Sequence, residues 1–174
     1  GGEIELLDAN PNHLKIVLTY LEKVGSIITM NDGNIKLKAP DIIESVDMVT
    51  APFPGFPTDL QAQWMALMTL ANGESTVTDE VYLDRFTHIS ELSRLGANIS
   101  LKKNSAIVKG KKQLIGAPIM STDIRASASL IIAALAANGQ SEISRIYHID
   151  RGYEKIEEKF SKLGAEIWRE IDDN

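Results

Sequence analysis

Two stretches of this chain carry the same landmarks in the same order. Thr58-Asp59-Leu60-Gln61-Ala62 and Thr122-Asp123-Ile124-Arg125-Ala126 each lead into a long apolar stretch ending in Ala-Asn-Gly, at 71–73 and 137–139. A polar–apolar alternation follows each, Glu74 to Thr78 and Gln140 to Ser144. Next come Asp84-Arg85-Phe86 and Asp150-Arg151-Gly152, then amphipathic segments closing on Leu95-Gly96-Ala97 and Leu163-Gly164-Ala165. Equivalent landmarks lie 64, 66 and 68 residues apart, a slow drift that small loop insertions between duplicated elements produce. Each copy of such a repeat is one supersecondary unit that buries its apolar face against its neighbours.

A third copy is present in part. Val24-Gly25-Ser26-Ile27-Ile28 matches Leu95-Gly96-Ala97-Asn98-Ile99, an amphipathic segment from Asn12 to Lys23 precedes it, and Glu3 to Asp8 supplies a strand. No counterpart of the Thr-Asp start is found there. The expected fold is α/β, built of repeated β-α-β-α-β-β units at 1–50 (incomplete), 51–115 and 116–174. The incomplete unit is expected to leave apolar surface exposed.

Within the second unit, Thr58 or Asp59 is predicted to cap a helix running to about Ala71, with Asn72-Gly73 as its stop. Ser75 to Thr78 reads as a short strand. Phe86, Ile89, Leu92 and Leu95 form the apolar stripe of a surface helix, repeated as Ile156, Phe160 and Leu163. Residues 97–102 and 106–109 read as a hairpin turning at Asn104-Ser105. The helices that start at Asp59 and Asp123 are apolar nearly all round, which predicts burial. Parallel buried helices would present their positive ends on one side, where an anion is expected to bind.

Composition narrows the chemistry. A net charge of −6 leaves no basic excess to track nucleic-acid phosphates, although a few arginines in a cleft still suit a small anion. The absence of cysteine excludes disulfides, thiolate metal sites and a cysteine nucleophile within these residues, and it fits a reducing cytosol. The longest nearly apolar run, Ser129 to Ala137, is too short to span a bilayer. His13, His88 and His148 lack the spacing of a ligand pair, and each reads as a surface or capping histidine. Trp64 and Trp168 read as packing residues. The lysines at 102, 103, 109, 111 and 112 read as a solvated, charge-protected sheet edge.

The candidate chemistry lies in carboxylates and arginines. Asp59 and Asp123 have one reading as helix caps. Asp59 has a second, because Phe53-Pro54-Gly55-Phe56-Pro57 leads into it as a stiff irregular loop suited to positioning a general base over a ligand. Arg85, Arg125 and Arg151 suit forked contacts with carboxylate or phosphate. Their other reading is internal pairing, Arg125 with Asp123 or Asp150 and Arg85 with Asp84.

The segments 56–63, 84–86, 90–97, 122–129 and Tyr147-His148-Ile149-Asp150-Arg151-Gly152-Tyr153-Glu154 together resemble the C-terminal motifs of bacterial UDP-N-acetylglucosamine 1-carboxyvinyltransferases. The resemblance covers essentially the whole chain. It implies an inside-out, barrel-like α/β domain with units around a pseudo-threefold axis. It also implies transfer of the enolpyruvyl group of phosphoenolpyruvate to the 3-hydroxyl of UDP-N-acetylglucosamine, opening peptidoglycan synthesis in the cytoplasm without a cofactor.

By the same resemblance, Asp59 matches the proposed base at the sugar hydroxyl and Val81 a contact to the UDP-sugar. Arg125 and Arg151 match arginines that hold phosphoenolpyruvate, Arg85 an arginine beside them, and Asp123 an aspartate of the flexible catalytic site. The family's other domain carries a mobile loop with a catalytic cysteine (aspartate in some members), together with a lysine and an asparagine for phosphoenolpyruvate. None of these is found here, so the chain alone is expected to be inactive. Two alternatives share its features: 3-phosphoshikimate 1-carboxyvinyltransferase, of the same fold, and a non-catalytic nucleotide-sugar-binding module.

Overall fold

The structure, a computed structural model, describes residues 2–31 and 33–170. The chain opens with strand β1 (Glu3–Leu6), helix α1 (Pro11–Lys23) and the hairpin β2 (Ile27–Asn31) and β3 (Asn34–Lys38). Asn10 caps α1, its side chain accepting from the Asn12 N–H, and Pro11 sits at the first turn, where its missing N–H costs nothing. The three strands form an antiparallel sheet in the order β1-β3-β2. Ile4, Leu6, Leu7, Ile27 and Met30 are exposed around this sheet.

The next block contains β4 (Met48–Val49), a 3-10 turn (Thr58–Leu60), α2 (Gln61–Met68), β5 (Glu74–Thr78), α3 (Ile89–Arg94), β6 (Asn98–Lys102) and β7 (Ser105–Lys109). Strand, helix, strand, helix, strand, strand is the order expected of one repeat. β4 and β5 are parallel across the α2 crossover, and β7 pairs antiparallel with both β5 and β6, giving the order β4-β5-β7-β6. The last block holds β8 (Leu114–Ile115), β9 (Pro118–Met120), α4 (Ile124–Ala136), β10 (Ala137–Asn138), β11 (Glu142–Ser144), α5 (Tyr147–Asp150) and α6 (Ile156–Lys162). Two short parallel pairs, β8 with β10 and β9 with β11, flank α4. Among the described residues the sheets stay separate and open, and no barrel closes.

The repeat is visible in the backbone as well. Gly25, Gly96 and Gly164 all adopt left-handed φ, at 102°, 87° and 93°, each just after its helix. A side chain there would meet its own backbone, which accounts for glycine at all three equivalent positions.

The main core lies where α2 packs on α4. Met48, Met65, Met68, Val77, Leu92, Leu95 and Leu130 are fully buried in it. Tyr20, Phe56 and Trp64 close one end edge to face, with centroids 5.1 to 5.6 Å apart. Trp64 is the packing residue expected.

Several expectations need correction. The regular part of α2 stops at Met68, because Leu70 and Ala71 bond back three residues and tighten the last turn. The hairpin turns at Lys103-Asn104, with Lys102 paired to Ser105 and Lys103 at φ 58°. Helix α4 is less enclosed than α2, leaving Ile132 and Leu135 partly exposed. Leu163, the counterpart of fully buried Leu95, is 67% exposed, and Trp168 is 56% exposed rather than packed. Leu95 belongs to the main core cluster, against which Ile99 of β6 also packs, whereas the backbone after Gly164 forms no strand among the described residues. His88 stands at the N-cap position of α3 without a side-chain cap bond, and it is buried, not a surface residue.

Candidate functional site

Asp59 lies at the end of a loop whose geometry is set from both sides. The Ala51 N–H donates to the Phe56 carbonyl at 2.9 Å, and the Gly55 N–H donates to that of Pro52 at 2.8 Å, folding the Pro-rich loop on itself. Phe56 anchors the loop in the core. Asp59 then follows in a single 3-10 turn, where no side chain caps the helix. Its carboxylate is left free to point elsewhere.

It points at two arginines. Asp59 Oδ1 accepts from Arg125 Nε at 2.5 Å and from Arg85 Nη1 at 3.2 Å. Arg125 is the second residue of α4, so this contact brings the start of α4 beside the 3-10 turn that leads into α2. Arg85 Nη1 also donates to Thr58 Oγ1 at 2.8 Å, and its guanidinium lies 4.6 Å from the centre of the Tyr82 ring. With the Asp59 side chain 64% exposed, the cluster is an open surface and not a closed cavity.

The internal pairings expected as the other reading do not form. Arg125 and Arg85 both pair internally with Asp59 instead, Arg125 making no side-chain bond to Asp123 or Asp150 and Arg85 none to Asp84. Asp150 belongs instead to Arg169, which donates to both its oxygens at 3.0 and 2.7 Å and to Glu157 at 3.2 Å. Hydrogen bonding to Arg169 holds the Asp150 carboxyl below its ordinary value despite some burial.

Asp59 and Asp123, equivalent in sequence, therefore differ in role. Asp123 is a true cap: Oδ1 accepts from the Arg125 and Ala126 N–H groups at 2.9 and 3.0 Å, and Oδ2 accepts from Thr87 Oγ1 at 3.4 Å. The cap fixes the first turn of α4, and with it the direction of the Arg125 side chain. Val81 lies exposed in the loop after β5, four residues before Arg85. Arg151, just after α5, is exposed and makes no ion pair or side-chain hydrogen bond among the described residues. The structure thus gathers Asp59, Arg85, Arg125 and Asp123, and leaves Arg151 outside that contact network.

Sequence reasoning missed Asp79. It is fully buried and accepts four hydrogen bonds: Oδ1 from Thr50 Oγ1 at 2.7 Å, the Val81 N–H at 3.0 Å and the Tyr82 N–H at 2.8 Å, and Oδ2 from Thr58 Oγ1 at 2.6 Å. Burial works against its charge, but the bonds from Thr58, Tyr82, Thr50 and Val81 outweigh it and lower its pKa. The available signal was Thr78-Asp79 itself, a third Thr-Asp pair at a strand end. His88 was misread for a similar reason, since one side chain says little about its burial. Burial pushes its pKa down to about 4, which the Asp123 carboxylate only partly offsets, and its Nε2 has no hydrogen-bond partner.

Among the described residues no helix is long and apolar enough to cross a membrane.

Known proteins share both the sequence and the shape. The chain is 54% identical over 170 residues to UDP-N-acetylglucosamine 1-carboxyvinyltransferase of Chlorobium chlorochromatii, covering 98% of this chain and 40% of that protein. It is 51% identical over 168 residues to the protein of that name from Desulfosudis oleivorans, covering 97% of this chain and 40% of the relative. The chain thus spans about 40% of the length of the curated relatives it matches. Among solved structures, the enolpyruvyl transferase NikO from Streptomyces tendae superposes with a TM-score of 0.79 at 26% identity, over 87% of this chain and 35% of that one. EPSP synthase from Acinetobacter baumannii shares the fold, with a TM-score of 0.59 at 16% identity over 82% of this chain and 34% of its own. The profile of the EPSP synthase (3-phosphoshikimate 1-carboxyvinyltransferase) family matches residues 1–160, and the chain belongs to that family.

Proposed function

We propose that these residues form part of an enzyme that moves the enolpyruvyl group of phosphoenolpyruvate onto the 3-hydroxyl of UDP-N-acetylglucosamine, releasing phosphate, in peptidoglycan synthesis. The observation that carries this reading is one aspartate, uncommitted to helix capping, held between two arginines where two helix starts meet. Substrate preference follows the relatives, which are 51–54% identical under the UDP-sugar name, against 16% for the EPSP synthase structure.

In this reading the sugar 3-hydroxyl gives its proton to the Asp59 carboxylate as its oxygen bonds to C2 of phosphoenolpyruvate. C3 gains a proton from a general acid outside these residues, which later takes it back, leaving a tetrahedral ketal at C2. The bond from C2 to the phosphate oxygen then breaks, C3 returns a proton, and the double bond re-forms as phosphate leaves. Arg125 and Arg151 hold the carboxylate and phosphate of phosphoenolpyruvate, with Arg85 beside them, and Val81 meets the UDP-sugar. An anion that draws the guanidiniums of Arg85 and Arg125 to itself frees Asp59 for the hydroxyl, so binding of one substrate prepares the base for the other. Asp123 serves by fixing the start of α4.

The same reading extends to architecture: units at 1–50, 51–115 and 116–174 arranged about a pseudo-threefold axis, supported by the repeat and its shared left-handed glycines. The rest of the site would come from another domain of a longer chain in the cytoplasm.

The test is phosphate release by a chain of the relatives' full length carrying this sequence. Release is expected from phosphoenolpyruvate with UDP-N-acetylglucosamine and not with shikimate 3-phosphate. Release with shikimate 3-phosphate alone would overturn the assignment.

A further inference from the structure

Thr58 and Thr122 open equivalent helix starts, yet their hydroxyls meet different surroundings. Thr58 Oγ1 donates to Asp79 and accepts from Arg85. Thr122 Oγ1 is buried without any hydrogen-bond partner. The residues that follow the equivalent strands also differ. Asp79 follows Thr78 at the end of β5, whereas Arg145, which cannot accept a hydrogen bond, follows Ser144 at the end of β11. Arg145 is exposed with left-handed backbone at φ 56°. The second unit therefore carries a device that the third lacks.

We infer that Asp79 is a positioning residue for the transfer reaction. It fixes the Val81–Tyr82 backbone directly and Arg85 through Thr58, so that the loop facing the nucleotide sugar and the guanidinium facing the anionic substrate are held to one buried carboxylate. The inference rests on the transferase reading above.

The hydrogen-bond directions make the link specific. Asp79 accepts only, so the single Thr58 hydroxyl proton goes to it, and the oxygen's lone pairs remain for Arg85. Both backbone groups of Asp79 are clamped as well: its N–H donates to the Asn104 carbonyl at 2.9 Å, and its carbonyl accepts from Asn104 Nδ2 at 3.0 Å. Asn104 lies in the turn between β6 and β7, so the carboxylate is anchored to the sheet. Thr50, a second hydroxyl donor to Asp79, accepts from the Glu80 N–H at 3.0 Å and extends the clamp along the loop. An amide in place of this carboxylate leaves the Thr58 proton or a loop N–H without its acceptor.

The test uses a chain of the relatives' full length carrying this sequence, with Asp79→Asn, Thr58→Val and Thr58→Ser. Asp79→Asn is expected to raise KM for UDP-N-acetylglucosamine and lower kcat, each about tenfold, the scale of one buried charge-assisted hydrogen bond. Thr58→Val removes the hydroxyl that links Asp79 to Arg85 and leaves the Val81 and Tyr82 N–H bonds to Asp79 in place, so it should lower kcat/KM for phosphoenolpyruvate about tenfold and leave KM for the sugar within about twofold. Thr58→Ser should restore the value. Kinetic constants in Asp79→Asn within about twofold of the unsubstituted protein, alongside a lower melting temperature, would overturn the inference and leave Asp79 a structural residue.

If the unsubstituted protein transfers nothing, that result counts against the transferase reading alone. Asp79 is then judged by amide exchange. Val81 and Tyr82 exchanging about tenfold faster in Asp79→Asn supports the clamp, and unchanged rates overturn it.

Discussion

Asp59 accepts a hydrogen bond from Arg125 Nε at 2.5 Å across 66 residues of chain, joining the starts of two helices equivalent in the repeat. The pair is well exposed, at 64% and 38% of the two side chains. Exposed ion pairs contribute little to stability, so Arg125→Met is expected to change unfolding free energy by less than about 1 kcal/mol. Urea denaturation of the two proteins checks this, and a loss above about 2 kcal/mol would make the pair a structural strut.

Arg151 offers a cleaner separation of function from stability, because it is exposed and bonds no described side chain. Arg151→Met is expected to leave stability within about 0.5 kcal/mol. In a full-length chain it should raise KM for phosphoenolpyruvate about tenfold, the loss of one forked anion contact. An unchanged KM would remove Arg151 from the site.

His88 makes the fold acid-sensitive in a defined window. The unfolded chain binds this proton near pH 6.5, while the buried imidazole binds it only near 4. Its contribution is complete above the unfolded value and is lost as pH falls from about 6.5 to 4, reaching about 3 kcal/mol. Denaturation curves across this range should be steeper for the native sequence than for His88→Gln, which does not titrate there. Equal slopes would contradict the account. Asp79 and Asp150, also lowered, lose their contributions below their ordinary carboxylate range in both proteins, and so cancel in the comparison.

Gly110 packs closely against the Ala71 backbone. A Cβ there would stand 1.7 Å from the Ala71 carbonyl oxygen, an atom that cannot rotate away. Gly110→Ala should therefore cost about 3 kcal/mol or prevent folding. A thermal midpoint unchanged from the native protein would show that the α2–β5 turn yields more easily than its bonds suggest.

Much of this architecture was legible from order and spacing alone. The repeat placed α2 and α4, the strands β5 and β11 and the amphipathic stripe of α3, because duplicated units keep their apolar periods. The limits were equally physical. Asp59 and Asp123 share their sequence setting, and only the tertiary course of the Pro-rich loop frees one while the other caps its helix. Asp79 was passed over because a strand-end aspartate shows its worth only through donors at 50, 58, 81 and 82. Leu163 and Trp168 read as core residues by pattern, yet the contacts that bury Leu95 have no counterpart around them among the described residues.

The central claim is that Asp59 takes the sugar hydroxyl proton from within this arginine cluster. Phosphate release from phosphoenolpyruvate and UDP-N-acetylglucosamine tests it, using Asp59→Ala in a chain of the relatives' full length. The expected result is a fall in kcat of at least about a hundredfold, with KM for the sugar changed far less. A kcat within about twofold of the unsubstituted protein would contradict the account.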